Sequence, residues 1–154
     1  MGLNNTLRIV GCVAAAVTLV ANASCSFNVS EGNLEADKSA TESAIDQFHV
    51  RYNAGQLELI YQEADDAPKS AASSSDSMGF LTKTRGKYGD MVSVTRHWVN
   101  AFIGAPVHVH AVYHTRFTNT DATELFDWAI DGNGKPRLVL HHVWEGTTMP
   151  GNAS

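Results

Sequence analysis

Cysteine is nearly missing: the 154 residues hold 2, at positions 12 and 25, so a disulfide framework and a paired-cysteine zinc site are both excluded. Proline is scarce, at 4 residues, and no Gly-periodic or internally repeated segment occurs. That removes collagen-like, disordered and solenoid architectures. No basic run exists, and 11 Lys+Arg stand against 16 Asp+Glu for a formal charge of −5, which argues against a nucleic-acid backbone as partner. There is no Gly-rich phosphate loop and no nucleophile elbow, so nucleotide and recognisable hydrolase chemistry have no motif to rest on. What remains is a chain that is 44% hydrophobic and 18% charged, enough for one globular domain with a core.

The clearest positive feature is at the front. Arg8 supplies a basic n-region, and residues 9–21 (IVGCVAAAVTLVA) form an apolar run too short to span a bilayer but long enough for a signal peptide. Two cleavage readings compete. Ala21, Asn22 and Ala23 form an A-x-A site that releases a chain starting at Ser24. Asn22, Ala23, Ser24 and Cys25 resemble a bacterial lipobox, with Asn where Leu is usual. Cys25 would be the only thiol of the mature chain, and lipid attachment gives an unpaired thiol a reason to exist. The expectation is therefore a lipoprotein of a bacterial cell envelope, facing the periplasm or exterior and held at the membrane by its N-terminal lipid alone; soluble secretion is the alternative. The division that follows is signal peptide 1–24, polar tether 25–38, folded domain 39–146 and flexible tail 147–154.

Ser39 and Glu42 have capping-box spacing, and Ala44, Ile45, Phe48 and Tyr52 then recur at helical intervals until Asn53, Ala54 and Gly55 stop the pattern. Leu57, Leu59, Ile60 and Tyr61 suggest a short second helix. Residues 68–77 (PKSAASSSDS) read as a serine-rich loop, with Ser75 or Asp76 capping a third helix that carries Met78, Leu81, Arg85 and Tyr88 and ends at Gly89. From there the period becomes two: residues 91–99, 107–117, 123–130 and 138–144 alternate between turn-forming stretches, as an antiparallel meander does. Helices collected ahead of such a sheet must cover one face, giving an α+β domain.

The order of helix, Asn-x-Gly stop and Ile-Tyr segment (Ile60, Tyr61), then Phe80, Leu81, Arg85 and Gly89, then Tyr113, Thr115 and Phe117, then Glu124, Phe126 and Trp128, resembles small exported bacterial proteins, often lipoproteins, with a nuclear-transport-factor-2-like, cystatin-like cone. The resemblance implies N-terminal helices packed on a four-stranded antiparallel sheet and, commonly, dimerisation through the open sheet. It is nearly silent on activity: such cones host isomerases and dehydratases with an Asp or His in the cavity, and also many pure binding modules.

Candidate chemistry is sparse. His108, His110 and His114 share one face of a strand, with successive same-face positions roughly 7 Å apart. Two or three imidazoles could hold zinc or copper. No carboxylate or cysteine joins them in sequence, so no tightly bound metal and no cofactor is expected. Tyr52, Tyr61, Arg85, Tyr113 and Trp128 are candidates for a ligand pocket, although aromatics at such spacings usually fill a core. Arg85, on the apolar side of its helix, needs a carboxylate partner. His49 and His97 have no assignable role.

The one acid–base candidate comes from register. Matching apolar residues across the turns pairs Tyr113 with Trp128, Thr115 with Phe126 and Phe117 with Glu124, then Trp128 with Leu138 and Phe126 with Leu140, which brings Glu124 opposite His142. A carboxylate facing an imidazole is either a proton-transfer pair or a cross-strand ion pair at the sheet rim. Two function classes follow: a non-enzymatic envelope module that binds a small molecule or protein, and a cone-fold lyase or isomerase using a Glu/His pair. An all-aliphatic cavity would favour the first, and a hydrogen-bonded acid and imidazole at a pocket would favour the second.

Overall fold

The computed structural model describes residues 31–147; the expected signal peptide, Cys25, the start of the expected tether and the expected tail beyond 147 lie outside the described residues. Four helices, α1 (Glu31–Asn53), α2 (Leu57–Glu63), α3 (Asp66–Ala71) and α4 (Ser74–Tyr88), precede four strands, β1 (Met91–Phe102), β2 (Val107–Phe117), β3 (Asp121–Ile130) and β4 (Pro136–Glu145). The strands form one antiparallel sheet in the order β1-β2-β3-β4, and the helices pack on one of its faces.

Helix α1 starts earlier than the capping box suggests. Residues 31–38 are helical, and Ser39 lies inside the helix, where its carbonyl accepts from Ser43 Oγ. A Glu35–Lys38 pair one turn apart supports the added turns, and Leu34 packs near Val107, Val109 and Ile130. The expected tether therefore contributes its second half to the fold. The helix ends where Gly55 takes φ 70°, a conformation that L side chains resist. Asn53 then fastens this end to the sheet: its Oδ1 accepts from the Met91 amide and its Nδ2 donates to the Met91 carbonyl, both at 2.8 Å.

The serine-rich stretch is not all loop. Asp65 caps α3 by accepting from the Ala67 amide, and Ser73, rather than the expected Ser75 or Asp76, starts α4 by accepting from the Asp76 amide. Helix α4 ends at Gly89 as the sequence suggests, with φ 85°. Arg85 finds the required carboxylate in Asp90 at 2.8 Å and also donates to the Asn53 carbonyl, which joins the ends of α1 and α4.

Alternation sorts β2 largely as expected, except that Val112, of the outward parity, is fully buried as well. Ala111, Tyr113 and Phe117 are buried toward the helices, where they join Ile45, Phe48, Tyr52, Leu81 and Phe126 in the main core; Thr115 is buried with the same parity, and Val109 packs in a smaller cluster with Val107 and Ile130. Fully burying a side chain such as Ile45 or Phe126 contributes about 1.5–3 kcal/mol. Register is where expectation and structure part. The β2–β3 hairpin closes tightly, with Phe117 N–H donating to the Thr120 carbonyl at 2.9 Å, so Tyr113 faces Glu124 and Val109 faces Trp128. Each expected pair across this turn is thus displaced by an even number of residues, which keeps every side chain on its expected face. Between β3 and β4 the expected Trp128–Leu138 pair forms, but a bulge follows it: Asp127 faces Leu140, Phe126 faces His141 and Leu125 faces His142. One extra residue on β4 reverses the facing of all that follows. Leu140 is turned out to 47% exposure and His141 is turned in.

Candidate functional site

The expected Glu124–His142 pair does not form. Glu124 is opposite Val143, while His142 is exposed on the other face; the bulge is the reason. Glu124 instead lies beneath the helices, 1% exposed, where a charge persists only with partners. Three reach it from three elements. His49 Nε2 on α1 is 2.8 Å from Oε2, Thr115 Oγ1 on β2 donates to that same oxygen at 2.5 Å, and His141 Nε2 on β4 is 2.9 Å from Oε1.

An ionised carboxylate only accepts hydrogen bonds, so both imidazoles carry a proton on Nε2. Burial acts to raise the Glu124 pKa, but the hydrogen bonds from His141 and His49, with the attraction of those rings, outweigh it and hold the carboxyl well below its usual range. Stacking fixes the His141 ring: Phe126 lies nearly parallel to it and Phe48 meets it edge-on, each with centroids 4.7 Å away. The Nδ1 atoms of His49 and His141, the hydroxyls of Thr41 and Tyr52 and the indole N–H of Trp128 are buried without a hydrogen-bond partner among the described residues. Burial, then the charge of Glu124, pushes the Tyr52 hydroxyl pKa far up.

His141 also belongs to the wall of an open pocket of about 270 Å³ bordered by α2, α3, α4 and β4. Ile60, Ala64, Leu81 and Leu138 make most of that wall apolar, and Tyr61, Lys69 and Asp76 add polar groups. A second pocket of about 250 Å³ shares Ile60 and Leu138 and is otherwise bounded by Phe48, Trp128, Lys135 and the ion-paired Arg51 and Glu63.

The five residues expected to line one pocket are thus dispersed. Tyr61 lines the first pocket and Trp128 the second. Tyr52 and Tyr113 are core residues, the latter with its hydroxyl pushed up to about 12 by burial and then by Glu42 and Asp46. Arg85 is engaged at the α1–α4 junction. Sequence reasoning named His142 in place of His141 and missed His49 and Thr115. Both carried a signal: His49 stands four residues after Ile45 and three before Tyr52, within the buried stripe of α1, and Thr115 has inward parity on β2.

On the opposite sheet face His108 and His110 do acquire a carboxylate, Asp127 of β3, whereas His114 stands apart beside Thr123 and His97. No helix among the described residues is long and apolar enough to cross a membrane. No protein-family model, curated protein or solved structure matches the chain.

Proposed function

We propose that this is an exported small-molecule-binding protein with a nuclear-transport-factor-2-like cone, and that its ligand occupies the pocket beside His141. One observation carries the reading: a mostly apolar pocket of about 270 Å³ includes in its wall an imidazole held by a buried carboxylate. A mostly apolar lining with a few polar groups, one of them an imidazole oriented by a carboxylate, favours a compact hydrophobic molecule bearing a hydrogen-bonding group. Cavities of about 150 Å³ take benzene, so a bicyclic aromatic alcohol is a suitable probe. 2-Naphthol is expected to bind more tightly than naphthalene and to shift the His141 ring ¹⁵N resonances. In His141→Phe that preference disappears while naphthalene still binds. Equal affinity of the unmodified protein for both, or binding of neither, defeats the reading.

The Glu124–His141 hydrogen bond favours a second reading, a lyase or isomerase that moves a proton at His141. A carboxylate fixing one imidazole nitrogen prepares the other as a base. Catalysed exchange of the α-protons of 2-tetralone into deuterated water, lost in His141→Phe, would select this reading over simple binding.

Export is supported by the apolar run 9–21 and by Cys25, which cleavage would leave as the only cysteine. The mature protein from the membrane fraction of a bacterial host is expected to begin at Cys25 and carry a diacylglyceryl group by intact mass; a mass that starts at Ser24 without lipid replaces the anchored form with a soluble secreted one.

A further inference from the structure

The second concentration of ligating side chains is on the sheet face that the helices leave open. His108 and His110, two residues apart on β2, project to that face. Asp127 is the cross-strand neighbour of His110 and lies 19% exposed between the two rings. Its Oδ1 is 2.8 Å from His108 Nδ1 and 3.4 Å from His110 Nε2. The three ligand atoms all fall within 4.8 Å of one another. Phe102 packs on the His110 ring with centroids 4.6 Å apart and restricts it. The ion pairs of Asp127 among the described residues are with these two imidazoles, so no lysine or arginine neutralises the carboxylate in their place.

These separations are close to those a metal imposes. Ligand atoms bonded at about 2.0–2.1 Å to a tetrahedral ion sit roughly 3.3 Å apart. The two His–Asp separations of 2.8 and 3.4 Å bracket that edge, and the remaining His–His separation, at most 4.8 Å, closes by rotation of the partly exposed His108 ring toward His110. Two imidazoles and one carboxylate form a donor set suited to borderline divalent ions such as zinc, and too poor in oxygen for calcium or magnesium.

We propose that His108, His110 and Asp127 bind one divalent transition-metal ion, through His108 Nδ1, His110 Nε2 and a carboxylate oxygen of Asp127, with at least one coordination position left to water or an incoming ligand. The site is independent of the pocket. Asp127 and Glu124 have opposite parity on β3, so metal and pocket ligand occupy different faces of the sheet. His114, at hydrogen-bond distance from Thr123, is outside it.

The full chain, purified without an affinity tag, tests the proposal with zinc and cobalt as probes. Calorimetric titration is expected to give one Zn²⁺ per chain, with affinity lowered at least about tenfold by His110→Ala and by Asp127→Asn and unchanged by His114→Ala. Because a variant can fail to fold, Co²⁺ added to the unmodified protein provides a second readout: visible d–d absorption that Zn²⁺ displaces at one equivalent. Absence of saturable Zn²⁺ binding, or binding that survives both ligand substitutions in folded protein, or loss of binding on His114→Ala alone, overturns it.

Discussion

Glu124→Ala is expected to destabilise the protein by about 3–5 kcal/mol, read as a lowered urea midpoint, because it removes the acceptor common to three buried donors. The imidazoles of His49 and His141 and the hydroxyl of Thr115 would remain under the helices with their protons unmatched, beside a cavity the size of the lost side chain. Glu124→Gln should cost less, since its amide oxygen still accepts, yet its NH₂ group must face a donor. The exposed His142, opposite Glu124 only in the register read from sequence, should be replaceable by Ala within about 0.5 kcal/mol. If His142→Ala matched Glu124→Ala, the bulged register would be wrong. Replacing the cluster together, as His49→Leu, Glu124→Leu and His141→Phe, should recover much of the lost stability, because well-packed apolar groups commonly equal or exceed a buried ionic cluster. Such a recovery would mean the cluster is retained for what it does at the pocket, in agreement with the proposed function.

Sequence pattern conveyed the layer order, the helix stops at Gly55 and Gly89 and the inward parity of β2, because each depends on local steric and periodic rules. The α+β arrangement of helices on an antiparallel sheet could be read for the same reason. The candidate site was half legible. Glu124 was singled out as a carboxylate opposite a β4 imidazole, and because adjacent strand residues face opposite ways a regular strand offers it His142 and a bulged one His141. Choosing between them required the bulge after Trp128, and nothing in the segment Val139–Leu140–His141 distinguishes a bulged strand from a regular one. His49 was obscured because a histidine in an apolar helical stripe has no local partner to identify it; its partner is 75 residues away on β3. Asp127 was hidden from His108 and His110 in the same way, since a carboxylate from a neighbouring strand becomes visible only once the register is known. In both clusters the missing member was fixed by long-range pairing, which hydrophobic periodicity does not encode.

Acid should act on the same cluster in a definite direction. The carboxyl of Glu124 is held in the fold well below the roughly 4.3 of an unfolded chain. Above that value both states are ionised there and the full stabilisation is present. As pH falls from about 5 the unfolded chain begins to take up a proton that the native carboxylate refuses, so stability declines with pH until the folded group itself titrates. One group of this kind contributes up to about 1.4 kcal/mol per pH unit below the unfolded pKa. Glu63, paired with Arg51, and Asp131, bonded to backbone amides of its turn, are also held low and add to the acid limb, but Glu63 is largely solvated and its contribution weakens with salt. Facing Glu124 itself are His49 from α1, Thr115 from β2 and His141 from β4, the three groups whose hydrogen bonds favour the ionised carboxyl. Urea midpoints taken from neutral pH down to the acid transition, at raised ionic strength, should fall steeply for the unmodified protein and distinctly less steeply for Glu124→Gln. Parallel acid limbs for the two proteins would show that Glu124 is already protonated in the native state, and the carboxylate could then no longer be what orients His141 at the pocket.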